Sequence, residues 1–387
     1  MIMSRTNKYI ILFSCIFCLI VFSSILYSQE NSESEELNRI IQEATLNLYS
    51  DPIAVIQIGD SLYNSSKENI NNKVTGLLLI SDAFIAIRNY PQALQNMNSA
   101  KELLGKSILI SLKIKILNRF AYQHFQLHLY DEALKYLNEA NKLNEANRED
   151  VSYLSNKGYI NVVRGLIYRQ QVGCDVAMRY FERGIDAYNQ SEEEITKINL
   201  SIIHYNIGNC YLTMENYDDA KKSFELAYYS ANKYGSSKNS LKLFAEKGIA
   251  SYYYLTQQYQ LAIETLNTLN EGATKIGDKS LMRSVSADLA SNYLEISNWD
   301  LFEMYNEEYK KINKELKESE IKATTYALDD IDLLHKLSLK EINNSYYKKI
   351  VVFTVFVLIS FVISLLLILK KKQKINNIRT EIFKTKK

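Results

Sequence analysis

The stretch SIIHYNIGNCYLTMENYDDAKKSFELAYYSA (201–231) decides the fold. With Ser201 as position 1, His204, Ile207 and Tyr211 occupy positions 4, 7 and 11. Small residues fall at 8 (Gly208), 20 (Ala220) and 27 (Ala227), and Tyr217 and Phe224 fill 17 and 24. The spacing predicts two antiparallel helices. Such helices approach closely only where both present small side chains, and large residues one turn away fill the grooves on either side.

The pattern recurs along the chain. YDEALKYLNEA (130–140), NYPQALQNMNSA (89–100), QYQLAIETLNTL (258–269) and GLIYRQQVGCDVAMRYFERG (165–184) repeat it, with worn copies at DPIAVIQIGDSL (51–62) and NYLEISNWDLFEMY (292–305). Position 20 is held by Ala54, Ala93, Ala133, Ala177, Ala220, Ala262 and Phe302, at spacings of 39, 40, 44, 43, 42 and 40. Pro52 and Pro91 fall in the first turn of a second helix, where no helical hydrogen bond is lost. Asp131 and Asp218 take that place elsewhere and suit the positive helix end.

These units resemble tetratricopeptide repeats, whose length of about 34 residues they exceed by a turn or a longer loop. The expected fold is all-α: a tetratricopeptide-like α-solenoid of about seven helix pairs over roughly 34–306. The resemblance implies a one-dimensional stack of units with a concave groove lined by first helices. On the family's geometry Asn118, Tyr122, Phe125, Tyr159, Arg169, Tyr205, Asn209, Lys247 and Tyr254 face that groove. Tyrosine rings with amide side chains suit a peptide. Tyr is abundant throughout, so packing between units is the competing role.

Charge is unevenly spread. Residues 370–387 hold eight Lys/Arg against Glu381 alone, whereas 29–349 hold 36 Lys/Arg against 43 Asp/Glu. An acidic body argues against direct nucleic-acid binding. YIILFSCIFCLIVFSSIL (9–26), behind Arg5 and Lys8, reads as the core of a signal peptide ending near Ser28, with an uncleaved anchor as the alternative. IVVFTVFVLISFVISLLLIL (350–369) carries no charge and as a helix spans about 30 Å, the hydrocarbon thickness of a bilayer. The Lys/Arg excess behind it predicts a cytoplasmic C-terminus, hence a periplasmic array on a bacterial inner membrane.

The expected organisation is therefore a signal peptide (1–28), a repeat array (29–306), a charged juxtamembrane helical segment (307–349), a transmembrane helix (350–369) and a short basic tail (370–387). The segment 307–349 reads either as a stalk or as a helix pair capping the array. For the tail, lipid-head binding by its lysines competes with the stub of a signalling helix and with a DNA-binding element. Cys174 at a turn and Cys210 inside a helix of the next unit are expected to be free thiols.

No catalytic chemistry is legible. His124 and His128 share one helix face at i, i+4, a spacing used for zinc, but His124 holds packing position 11 and no further ligand stands nearby. Phosphate loops, GxSxG and HExxH are absent from the sequence. Neither an enzyme activity nor a metal or other cofactor is expected. The partners expected are a protein or peptide in the groove and the lipid bilayer at 350–369, and a homodimer is allowed. The order of segments also resembles the sensor half of bacterial membrane-bound regulators whose output is an AraC- or LuxR-type helix-turn-helix domain or a histidine kinase. Two functions follow: a membrane-anchored scaffold or receptor, or the sensor part of a regulator whose output domain is truncated or supplied by a partner.

Overall fold

The structure, a computed structural model, describes residues 35–66, 69–104, 108–236 and 239–384. The expected signal peptide lies outside the described residues. Among them every regular element is helical. Helix α1 (35–47) pairs with α2 (Pro52–Ser65), α3 (Ile70–Ala86) with α4 (Tyr90–Glu102), and α5 (Ile110–Gln126) with α6 (Tyr130–Glu145). Then come α7 (Tyr153–Gln171) with α8 (Cys174–Gln190), and α9 (Asn199–Thr213) with α10 (Tyr217–Tyr234), the short 3-10 helix Glu194–Ile198 leading into α9. The last pairs are α11 (Ser240–Leu255) with α12 (Tyr259–Ile276), and α13 (Lys279–Glu295) with α14 (Trp299–Lys384).

The repeat register explains the packing. Ala93, Ala133, Ala177, Ala220 and Ala262 are fully buried, as are Met97, Leu137, Phe181 and Phe224 one turn on. The end copies pack less closely, Ala54 and Phe302 being only half-buried. Three second helices start on side-chain caps: Asp51 accepts from the Ala54 amide at 3.0 Å, Asn216 from the Asp219 amide at 3.4 Å and Asn298 from the Leu301 amide at 3.2 Å.

Five of the seven turns inside the pairs share one backbone solution. Arg88, His128, Glu215, Gln257 and Ser297 all have φ between 56° and 61°. In each of these turns the next amide reaches back five residues, as Asn216 N to Tyr211 O at 2.9 Å and Gln258 N to Tyr253 O at 2.8 Å. These are Schellman closures, in which glycine usually takes the left-handed place. The fourth turn is built differently: Val172 has φ −121°, and Gly173, at φ 134°, is itself the residue whose amide reaches back to Tyr168 O at 2.9 Å.

First helices also touch one another along the series α3, α5, α7, α9, α11 and α13, so they form the inner layer of a curved array. The curvature changes the expected stack. Ser240 N donates to Tyr49 O at 2.7 Å, and Ser319 Oγ donates to Arg88 O at 3.2 Å across 231 residues. Early turns therefore meet late units, which a stack with nearest-neighbour contacts alone does not do.

Cys174 and Cys210 form a disulfide with Cα atoms 5.4 Å apart, not the expected free thiols. Because α8 and α9 run antiparallel, the start of one lies at the same edge as the end of the other. Helical placement of Cys210 was no obstacle.

The chain divides into two compact units, Met1–Thr324 and Thr325–Lys387. In the first, Ile312, Leu316 and Ala323 of α14 are buried, and Lys279 Nζ lies 2.8 Å from Glu315. The second consists of the later part of α14, which is long and apolar enough to cross a membrane and exposes the side chains of 350–369. The helix continues through the basic stretch to Lys384.

Candidate functional site

The inner layer carries two polar clusters. The first centres on Arg119 of α5, whose Nε lies 2.7 and 2.9 Å from the Asp82 carboxylate of α3, with Nη2 at 2.8 Å. Its guanidinium stands 4.9 Å from the Tyr159 ring centre on α7, a cation–π contact. Burial alone would lower the Arg119 pKa; Asp82 and Tyr159 outweigh it, and the cation is held above its ordinary range. Burial pushes the phenols of Tyr49 and Tyr159 well up. Tyr122 interacts electrostatically with both, and Tyr49 and Tyr159 with the Asp82–Arg119 pair.

The second cluster lies further along. Lys247 Nζ of α11 is 3.0 Å from Asp288 Oδ2 of α13. Burial opposes the Lys247 charge, but Tyr205 and Asp288 outweigh burial and raise its pKa. Arg169, in the last turn of α7, also faces Tyr205, and burial lowers its pKa because no carboxylate offsets the lost hydration. Tyr205 packs edge-on to Phe244 at 5.7 Å and against Phe224 at 5.8 Å.

The remaining expected residues divide between these clusters and their surroundings. Phe125 packs beside Tyr122 with the rings tilted by 34° and their centres 6.0 Å apart. Tyr254 donates to Glu295 at 3.3 Å and lies edge-on to Tyr259. The Asn209 amide donates to its own helix at Tyr205 O, 3.0 Å away. Asn118 is 1% exposed, so it lies beneath the inner surface, and its Oδ1 accepts no hydrogen bond.

Asp82, Arg119 and Asp288 were not singled out from sequence. A signal for Asp82 was present, since it holds position 9 of its unit, the register of Tyr122 and Asn209. Arg119 and Asp288 hold position 6, which the tight wrap turns toward the neighbouring first helix. Tyr49 lies in a turn, where the repeat register assigns no inner face.

His124 is buried, with Nδ1 2.8 Å from Phe120 O and its ring 5.1 Å from Tyr136. His128 sits in the left-handed turn beside the Tyr130 hydroxyl. Among the described residues no group of three or more His, Cys, Asp or Glu is placed to hold a metal ion.

The family model for the tetratricopeptide repeat matches residues 202–234. No curated protein sequence matches the chain. Among solved structures, NprR in complex with its cognate peptide NprX is similar at 13% identity and a TM-score of 0.54, over 85% of this chain and 98% of that one. A Rap protein complexed with competence and sporulation factor gives 14% identity and 0.49, over 68% and 82%. A signal-transduction ATPase with a tetratricopeptide repeat sensor from Pyrococcus horikoshii gives 15% and 0.48, over 70% of this chain and 40% of its own length. Residues 202–234 are thus a tetratricopeptide repeat, and the array that contains them is a tetratricopeptide-like α-solenoid.

Proposed function

We propose that this chain is a membrane-anchored scaffold or receptor whose array binds a peptide or protein on its inner face, through a carboxylate of the ligand. The observation that carries this reading is Arg169. Its cation is desolvated beside Tyr205, and among the described residues no carboxylate lies within ion-pair distance. A half-buried cation without a counter-ion is costly, and a planar guanidinium suits a bidentate carboxylate. Tyr205, Phe125 and Tyr122 supply aromatic area nearby, and the similar NprR fold is described with a bound peptide.

Anchoring is supported by the uncharged exposed stretch 350–369, and orientation by the lysines behind it. The Cys174–Cys210 disulfide suits an oxidising compartment such as the periplasm. A second reading, the sensor part of a regulator with its output supplied by a partner, is favoured by one observation. Helix α14 runs unbroken from the array through the apolar stretch to Lys384.

The binding test uses the full chain in nanodiscs against a random peptide library with free or amidated C-termini. Selected peptides are expected to lose at least tenfold in affinity on Arg169→Gln, and to lose it on amidation or on removal of their acidic residues. Binding indifferent to Arg169→Gln overturns the site. For topology, alkaline phosphatase fused behind residue 387 should be inactive; an active fusion reverses the orientation.

A further inference from the structure

Two turns of the array are covered by units far along the chain. The turn after α1 places Tyr49 O on the Ser240 amide, and the Tyr49 ring packs against Ile198, Ala231 and Leu241. The turn after α3 carries Arg88, whose Nε lies 3.9 Å from Asp278 Oδ1, with both side chains buried (15% and 5% exposed). The Arg88 carbonyl accepts from Ser319 of α14. Arg88 also interacts electrostatically with Tyr90 and with Tyr122 of the inner face, while Glu320 of α14 acts on Tyr90. One residue thus joins the candidate ligand face, the cap of α13 and the helix that carries the apolar stretch.

These contacts are weak beside the packing within the units. Arg88 takes a left-handed backbone conformation without being glycine, which costs energy. Its Nε has no hydrogen-bond partner, and 3.9 Å is too long for one. Asp278 Oδ1 is already engaged by the amides of Ser280 and Leu281 at 3.0 and 3.1 Å. Fully buried alanine seams hold the helix pairs together, so the turn contacts belong to the least stable part of the array and open first.

We propose that the Tyr49 and Arg88 turns form a latch that closes the first two units onto units five to seven, and that its opening frees the Ser319 segment of α14. The proposal goes beyond ligand binding and does not depend on the carboxylate site. Since both turns close one interface, loosening Arg88 also loosens Tyr49.

The test is hydrogen–deuterium exchange on the full chain in nanodiscs. Arg88→Gly keeps the left-handed turn while deleting the guanidinium, and Asp278→Asn keeps a capping oxygen while deleting the charge. Exchange at Ser240 and in residues 312–323 should accelerate at least tenfold in Arg88→Gly and by a smaller factor in Asp278→Asn, with α5–α8 unchanged. Unchanged exchange in both variants overturns the latch. Equal acceleration throughout the array also overturns it, because that is loss of global stability.

Discussion

Phe224 lies so close to Gly208 that a Cβ on the glycine would stand 2.5 Å from the ring. Gly165 stands in the same relation to Phe181 in the unit before, and Gly248 presses on Phe224 from the unit after. Glycine is ordinarily a poor helix residue, and alanine in its place gains up to about 1 kcal/mol. Here the sign reverses. Gly208→Ala is expected to destabilise by about 1–3 kcal/mol through overpacking. Thermal unfolding checks this, and adding Phe224→Leu should restore part of the loss.

Glu215→Gly is expected to act in the opposite sense. The residue is exposed at φ 58° in a turn closed by Asn216 N and Tyr211 O. Relief of the left-handed penalty, less the added freedom of the unfolded chain, leaves a gain of about 0.5–1 kcal/mol. Gln257→Gly should behave alike, and a lowered melting temperature in both would refute this account of the turns.

Arg119→Ala leaves the Asp82 carboxylate half-buried without its bidentate partner. A loss on the order of 3 kcal/mol is expected. Replacing both residues, as Asp82→Leu with Arg119→Met, should cost less than the single change. A denaturant titration of the three variants measures the difference.

His204 contributes a pH dependence. Burial pushes its pKa below the ordinary 6.5, so the unfolded chain takes up the proton first as pH falls. This contribution is fully present above about 6.5 and is lost as pH drops below that value toward the folded-state pKa. His204→Gln should flatten the slope of stability with pH in that interval. An unaltered slope excludes His204 as its source.

Reduction of Cys174–Cys210 opens a covalent link across 36 residues. The chain-entropy account gives a loss of about 3–4 kcal/mol. Purified chain should take up a maleimide at these two positions only after treatment with a reductant. Labelling without reduction would show that the bond is not formed.

The helix pairs were legible because their signal is local and repeated. Gly208, Ala220 and Phe224 state the packing within one unit, and six further copies, two of them worn, fix the register. Two features were not legible, the disulfide and the contacts of Tyr49 and Arg88. Both depend on which edges meet in space, and edge contacts follow from the curvature of the array, which no single unit encodes. The inner face stands between these cases. Tyr122, Tyr159 and Tyr205 follow from register, whereas Arg119 and Asp288 become inner residues only through the tight wrap between first helices. Asn118 shows the converse, since the same wrap carries it beneath the surface.

The contact between Ser319 and Arg88 also alters how the array should come apart. A linear array frays from its free ends, each unit melting against one neighbour. Here the two-hundred-odd residues between the joined positions form a loop whose ends hold each other. Fraying at one end then weakens the other, so thermal melting should be sharper than that of an open array of equal length. Cooperativity in this fold belongs to its closure as much as to its repeats.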